Sequence, residues 1–523
     1  MNWGRIAGLS LLVFGLASPS GAAEKSTVAD AAEQRNSALV RKLLDARADV
    51  NAPQVDGMTA LHWAVYHDDA ATAELLVRSA ANVNALNRYG VPPLSLACTN
   101  GNADLVKSLL EAGADAKAAL PGGETVLMTA ARVGSLESVK ALLARGANPN
   151  ARERSNQTAL MWAASEGHAA VVQALIDGGA DIRAKLGSGF TPLFFAVREG
   201  QIEAARTLLK AGVNVNEAIQ REEDRATTLA ANRPTTPATL TINSASFKPV
   251  AKGTSPLLMA VQNGHFELAI ALVEAGADPN DERTGFTALH TMSWVRKPDA
   301  SDSGDPPPIG SGRLTSLQFV RALVEHGANV NRQLEGVARP PNSATQLGTE
   351  EATPLLMAAD RADAPLMRLL LELGADPFLP NAENSTPLMA AAGLGTANPL
   401  EEAGTEAEAL EAVQLLLDRG ADLNEVDDNG HTAMHAAAEG NFPTIVQLLA
   451  DRGANANIWK QPDVEGRTPL FIAEGFRRGR PQLSRPTIDA IQRLMLAKGL
   501  STEGKRPAVR DIYERVPEAP QKP

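Results

Sequence analysis

Apolar and polar positions follow a short repeated pattern of two apolar helical stretches and one polar loop. Residues 156–188 show this pattern most clearly. Small and apolar residues follow Thr158, which predicts a first short helix capped by that threonine and closed at Gly167. A second helix follows, because an apolar stripe recurs there at helical spacing: Val171, Val172, Leu175 and Ile176. The polar stretch up to Gly189 predicts an outward hairpin loop.

This unit recurs along the chain. Its capping position falls at Thr59, Pro92, Thr125, Thr158, Thr191, Ser255, Thr287, Thr353, Thr386, Thr432 and Thr468. The first four intervals are each 33 residues, and a turn of the Gly-Ala-Asp type follows each cap. Two helices this short cannot bury their apolar faces alone, so each unit needs neighbours on both sides.

The two motifs, GMTALHWAV at Gly57 with its sister copies and the GADVN-type turn, resemble the ankyrin repeat over almost the whole mature chain. The resemblance implies an all-α solenoid of about twelve helix-turn-helix repeats with hairpin loops and several loop insertions. Residues 24–56 keep only the second-helix pattern and are expected to form an N-terminal capping repeat. Regular repeats are predicted for residues 57–221, and repeats with insertions for residues 253–500.

Extra residues mark three long insertions, all after the regular block. They fall at Glu222–Lys252, Arg296–Thr315 and Gln333–Glu350. Long loops within a repeating array are either functional or disordered, so the first and third are interpreted as fingers beside a partner groove or as loose tethers. The charged, proline-bearing tail 501–523 is predicted to be disordered.

Residues 1–23 differ from the rest. A short positive leader precedes the apolar run Ile6–Leu16, and small residues follow it, which is the order of a signal peptide cleaved after Ala22 or Ala23. A membrane anchor is the alternative, but the run of 11 residues falls short of the ~20 that span a bilayer. We therefore expect export to the periplasm or outside the cell, without stable membrane insertion after cleavage.

Charge and motif content narrow the chemistry. The chain has 49 Lys and Arg against 61 Asp and Glu, a net charge of −12, which argues against nucleic-acid binding. Its single cysteine, Cys98, is expected to be buried and inert. No HExxH pair, GxSxG elbow or Walker loop occurs, so no catalytic residue, cofactor or metal is predicted.

Recurring residues are interpreted first as parts of the repeat. His62, His290 and His435 occupy the same motif position, where the ankyrin resemblance implies a bridge between backbone groups of neighbouring repeats. Trp63 and Trp162 stand at a shared apolar position, so packing is favoured over ligand stacking.

The resemblance also implies a protein-binding surface on the hairpin tips and the concave side of the first helices. Arg and Tyr carry interface energy more often than other residues, which favours Tyr66 and Arg198 among the variable positions. The candidate partner-binding residues are Tyr66, His67, Arg88, Tyr89, Arg132, Glu166, Arg198 and Glu199.

The sequence thus predicts an exported, monomeric scaffold that binds another protein and has no catalysis of its own. It resembles uncharacterised exported ankyrin-repeat proteins of bacteria. Two alternatives stay open: an accessory factor that docks on a cell-envelope enzyme, and a secreted effector that binds a host protein.

Overall fold

The computed structural model describes residues 27–220, 251–298, 306–336, 340, 345–396, 404–476 and 483–504. Within these ranges every regular element is a helix, and extended pairing is confined to one isolated bridge between Ala119 and Thr125. The fold is therefore all-α, as the sequence predicts. The predicted signal peptide, residues 222–250 of the first insertion and the tail beyond residue 504 lie outside the described residues.

Helices come in antiparallel pairs, one pair for each predicted repeat. The pairs of repeats 1 to 6 are α1 Val28–Glu33 and α2 Ser37–Asp45, α3 Ala60–Tyr66 and α4 Ala70–Arg78, α5 Pro93–Asn100 and α6 Ala103–Glu111, α7 Val126–Val133 and α8 Leu136–Ala144, α9 Ala159–Glu166 and α10 Ala169–Asp177, and α11 Pro192–Arg198 and α12 Ile202–Lys210.

Repeats 7 to 12 follow the same order with more variation in length. Their pairs are α13 Pro256–Gln262 and α14 Phe266–Glu274, α15 Ala288–Arg296 and α16 Ser316–Glu325, α17 Pro354–Asp360 and α18 Ala364–Glu372, α19 Pro387–Ala391 and α20 Glu406–Leu417, α21 Ala433–Glu439 and α22 Pro443–Asp451, and α23 Pro469–Ala473 and α24 Arg485–Ala497. A 3₁₀ turn, Ile458–Lys460, precedes the last pair.

Contacts divide the chain into two compact units. Of the described residues, those up to 130 and those from 140 to 147 form unit 1, and those from 131 to 139 and from 148 onward form unit 2. In unit 1 the first helices α1, α3 and α5 pack successively, and so do α9, α11 and α13 in unit 2. Each repeat therefore buries its apolar faces against its neighbours, which explains why no single repeat needs a core of its own.

Most of the sequence-predicted caps are present, although Thr191 makes no capping bond because its hydroxyl donates to Glu217, and Pro92 has no side-chain acceptor. The Thr158 side chain accepts a hydrogen bond from the backbone N–H of Met161, which satisfies one open donor of the first helical turn. Gly167 closes that helix at φ 81°, a left-handed conformation that favours glycine. In the second helix Val171, Val172 and Leu175 are buried, as the stripe predicts, while Ile176 is half-buried.

Asparagines of the GADVN-type turns tie successive repeats together. Nδ2 of Asn280 donates to the carbonyl of Gly327 at 3.0 Å, and its Oδ1 accepts from the N–H of Asn329 at 2.7 Å. The same pair of bonds to the following turn recurs within each unit at Asn51, Asn84, Asn150, Asn216 and Asn331. One side chain thus satisfies two backbone groups of the next turn, which fixes the spacing between repeats.

The first repeat has both helices, although its sequence carries only the second-helix pattern. Thr27 caps α1 in a capping box with Asp30, a role that the sequence pattern does not reveal because Gly-x-Thr-x-Leu is absent. The alanine-rich helix buries Val28, Ala29 and Ala31 against α3.

The insertion of repeat 8 folds back on repeats 6 and 7. Its described part, residues 306–315, places the Ser311 side chain and N–H on Nδ1 of His265, and the Ser311 hydroxyl also donates to the carbonyl of Gly200. Gly310 lies so close to Gly264 that a Cβ at Gly310 would collide with the Gly264 carbonyl oxygen. This half of the insertion is therefore seated on the turns between helices.

The third insertion also lies on its own chain. Thr345 donates to the Asp360 carboxylate at 2.9 Å, and the N–H of Gln346 donates to the carbonyl of Gly395 at 2.8 Å. Nδ2 of Asn381 donates to the carbonyl of Gly348 at 2.9 Å. Residues 345–349 thus cover the first-helix ends of repeats 9 and 10, so this segment does not form the free finger that the loop length suggested.

Candidate functional site

Two of the three motif histidines form the bridge that the resemblance implies. Nδ1 of His62 hydrogen-bonds the Thr59 hydroxyl at 2.8 Å, and its Nε2 lies 3.0 Å from the carbonyl of Val91. His290 repeats this geometry with Thr287 and Ala352, and burial lowers the pKa of His290 to about 4. A neutral, hydrogen-bonded imidazole in this place has a structural role.

His435 departs from that expectation. Its Nδ1 reaches the Thr432 hydroxyl at 3.0 Å, but its buried Nε2 has no hydrogen-bond partner among the described residues. The next hairpin is longer here and includes the 3₁₀ turn Ile458–Lys460. The Gln461 backbone of that hairpin still interacts with the imidazole and favours its protonated form, so His435 also faces a backbone group of the neighbouring repeat, but less closely than His62 and His290 do.

The described residues contain no group of three or more His, Cys, Asp or Glu side chains arranged to hold a metal ion. Cys98 is fully buried, as the sequence predicts, and burial raises the pKa of its thiol to about 12. The thiol is therefore protonated and unreactive near neutral pH.

A buried charge cluster links the hairpins of repeats 10 to 12. His431 lies between two carboxylates, with Nδ1 3.1 Å from Asp427 Oδ2 and Nε2 3.4 Å from Asp463 Oδ2. Arg467 donates to Asp463 at 2.7 Å, and Ser385 donates to Asp427 at 3.0 Å. Burial opposes the charge of His431, but the two carboxylates outweigh it and raise the pKa of His431 to about 9.

Four predicted partner-binding residues lie in unit 1 and form two local groups. Tyr66 ends α3 and is 56% exposed, and His67 follows it, with Nε2 2.9 Å from the carbonyl of Glu33. Arg88 and Tyr89 share a hairpin tip, where the guanidinium donates to the tyrosine hydroxyl at 3.1 Å. Both groups leave aromatic surface exposed, as an interface requires.

The other four lie in unit 2, at or near the ends of first helices. The Arg132 guanidinium lies over the Trp162 ring, 5.4 Å from its centroid. Arg198 lies over the Phe195 ring at 5.2 Å and pairs with Glu199 at 2.8 Å, and Glu166 is exposed at the end of α9. The structure therefore brings Arg198 and Glu199 together directly.

Trp63 and Trp162, which the sequence assigns to packing, and Phe195, which it does not single out, lie next to these groups. Trp63, Trp162 and Phe195 each stand four residues after the capping threonine, half-buried or buried beneath the predicted residues. Recurrence of an aromatic residue at this one position was the available signal. That recurrence favours packing over ligand stacking, and in the structure Trp162 and Phe195 both pack and lie under arginine side chains.

The ankyrin geometry agrees with comparison to known families. A family model described as ankyrin repeats (3 copies) matches residues 28–119, 127–219 and 400–480. A second model, of a single ankyrin repeat, matches residues 252–283. The two models together match more than half of the chain. The protein belongs to the ankyrin-repeat family.

Relatives share the repeats over part of their length. The mouse B-cell lymphoma 3 protein homolog is 33% identical over 142 residues, which cover 27% of this chain and 24% of that protein. The human ankyrin repeat and SOCS box protein 16 is 32% identical over 239 residues, covering 43% and 48%. The chain therefore spans less than half the length of these relatives.

Among solved structures, the human ASB11 ankyrin repeat domain matches 49% of this chain and all of that domain, with 24% sequence identity and a TM-score of 0.38. Among the described residues, no helix is both long enough and apolar enough to cross a membrane.

Proposed function

We propose that the protein is a scaffold that binds another protein and performs no catalysis of its own. Its binding surface would be the first-helix face, defined as the exposed ends of the first helices together with the hairpin tips next to them. The observation that carries the proposal is the recurrence of aromatic and arginine groups there, at the exposed Tyr66 and Tyr89 in unit 1 and at the half-buried Arg132 and Arg198 in unit 2. Such side chains dominate protein interfaces.

Phosphate backbones are not the proposed partner, because a net charge of −12 offers them no concentrated basic surface. Repeats 9 and 10 contribute less to the proposed surface, since residues 345–349 already cover their first-helix ends. Repeats 2 to 6 are therefore the main candidates.

Affinity capture with quantified recovery tests the scaffold proposal. We expect Tyr66→Ala with Tyr89→Ala, or Arg132→Ala with Arg198→Ala, to reduce recovery of the main partner at least about tenfold, because each pair removes interface anchors. The matched control is Glu111→Ala with Gln173→Ala, two exposed residues of second helices. Equal recovery by wild type and both first-helix-face variants would refute the proposed surface.

We also propose that the scaffold is exported, on the basis of the leader and the apolar run Ile6–Leu16. Fractionation followed by mass spectrometry of the intact protein should find a new N-terminus at Ala23 or Glu24 outside the cytoplasm. An uncleaved Met1 terminus in the membrane fraction would contradict export and convert the run into an anchor. The double variant Leu11→Arg with Leu12→Arg is the negative control. It should abolish cleavage because two charges interrupt the apolar run.

A further inference from the structure

One position of the first helix carries an aromatic ring in repeats 2, 5 and 6, four residues after the capping threonine. In unit 2 the ring has a cation above it each time. The Arg132 guanidinium lies 5.4 Å from the Trp162 centroid, and the Arg198 guanidinium lies 5.2 Å from the Phe195 centroid. At these distances the ring face attracts the positive charge.

Repeat 2 has the rings without the cation. Trp63 and Tyr66 meet edge to face, with centroids 5.6 Å apart and planes at 90°. His67 stacks on Trp63, with centroids 5.7 Å apart and planes at 24°, and meets Tyr66 edge-on. Tyr66 is 56% exposed and Trp63 is half-buried. Among the described residues no arginine or lysine lies over Trp63 or Tyr66.

Two carboxylates border these rings. The Trp63 indole N–H donates to Gln54 Oε1 at 2.7 Å, and Nε2 of the same glutamine donates to Glu33 at 2.7 Å and to Asp30 at 2.8 Å. The Gln54 hydrogen bond, with further bonds from Thr27, lowers the pKa of Asp30, so this group is anionic near neutral pH. Neither carboxylate forms an ion pair with a described basic side chain.

We propose that Trp63, Tyr66 and Glu33 form a site, the repeat-2 site, for a cationic side chain supplied by the partner protein. An arginine or lysine would lie over the exposed ring of Tyr66, beside Trp63, and pair with Glu33, which completes in trans the arrangement that unit 2 completes with its own arginines. Val55, next to Gln54, is fully exposed and offers apolar contact to the residue beside that cation. The site rests on the proposed scaffold function and names the chemistry of the partner.

The test uses the full chain labelled with 5-fluorotryptophan and observed by fluorine NMR, with the Trp63 signal assigned from Trp63→Phe. The probe is the tripeptide N-acetyl-Leu-Arg-Val-amide, and its twin carries citrulline, which keeps the shape of arginine without the charge. We expect the arginine peptide to shift the Trp63 signal saturably, and the citrulline peptide to bind at least about fivefold more weakly, since a single desolvated cation–ring contact differs by that factor.

Variants separate a specific site from general attraction to an acidic chain. Glu33→Gln and Tyr66→Ala should each weaken the arginine peptide about fivefold or more. Glu111→Gln removes the same charge from a second helix of unit 1 and should change binding by less than about 1.5-fold, because exposed charges act weakly at a distance.

Equal binding of the two peptides, or equal losses in Glu33→Gln and Glu111→Gln, would overturn the repeat-2 site. The scaffold proposal would survive that result if partner recovery still depended on Tyr66 and Tyr89. Conversely, if the first-helix-face variants recovered as much partner as the wild type, the scaffold proposal would be refuted, even if the arginine peptide bound as expected.

Discussion

The Arg296→Met variant is expected to lose about 3–5 kcal/mol of unfolding free energy in repeats 8 and 9, because it leaves a buried carboxylate without its cation. Arg296 donates two hydrogen bonds to Asp363, from Nε at 2.7 Å and from Nη2 at 3.0 Å. The Asp363 side chain is only 2% exposed and also caps α18 by accepting from the N–H of Leu366. The pair therefore joins the first helix of one repeat to the second helix of the next.

Arg321→Met is the matched control, because Arg321 and Glu372 join the same two repeats through an exposed ion pair at 3.1 Å. Its loss should stay below about 1 kcal/mol. Repeat arrays unfold in parts, so hydrogen exchange of amides in α15 and α18 is the suitable measurement. Equal losses in the two variants would show that the buried pair does not couple these repeats.

Stability of repeats 10 to 12 is expected to fall as the pH rises from about 6.5 to about 9. The folded state holds a proton on His431 up to about pH 9, whereas an unfolded chain releases it near pH 6.5. The stabilisation is therefore complete below about pH 6.5 and lost above about pH 9. The difference of about 2.5 pH units corresponds to at most about 3 kcal/mol.

The charged groups around His431 either favour its protonated form or are paired with another charge. Asp427 and Asp463 attract the proton, and Glu439 adds to that attraction. Arg467 opposes it but is paired with Asp463, and neighbouring His435 stays neutral because burial lowers the pKa of His435 to about 4. Without the proton on His431, three carboxylates would face the single cation of Arg467.

The His431→Asn variant should lose most of this pH dependence, because asparagine cannot carry the proton. His326→Gln, at an exposed histidine of repeat 8, should leave the profile unchanged. Hydrogen exchange of α21 and α22 across pH 6 to 9.5, corrected for intrinsic exchange, measures both. A flat profile in the wild-type protein would contradict the charged state of His431.

The repeated architecture could be predicted from sequence because its cause is local. Capping threonines, closing glycines and the apolar stripe each act within a few residues, so Thr158 and Gly167 have the predicted roles. The looser contact of His435 lies beyond such reasoning, because it depends on how the longer following hairpin folds and not only on how long it is.

The candidate site also has features that the sequence could predict and others that it could not. Exposure of Tyr66 and Tyr89 follows from their place in the repeat, and the structure agrees. The bonds that join Gln54 to Glu33 and Trp63 connect residues up to 21 positions apart, and no periodic pattern contains them. The longer spacing between motifs shows where the insertions lie in the sequence. The packing of residues 345–349 on repeats 9 and 10 could be found only from the structure, because insertions follow no repeating pattern.

Photo-crosslinking in the presence of the natural partner tests the scaffold account most directly. A photoreactive p-benzoylphenylalanine would replace, one at a time, Tyr66, Tyr89, Glu166 and Glu199 on the first-helix face. The same replacement would be made at the exposed second-helix residues Glu111, Gln173, Lys210 and Glu274. The account predicts a covalent adduct to one partner protein from first-helix-face positions and none from second-helix positions. Adducts confined to the second-helix positions would contradict it.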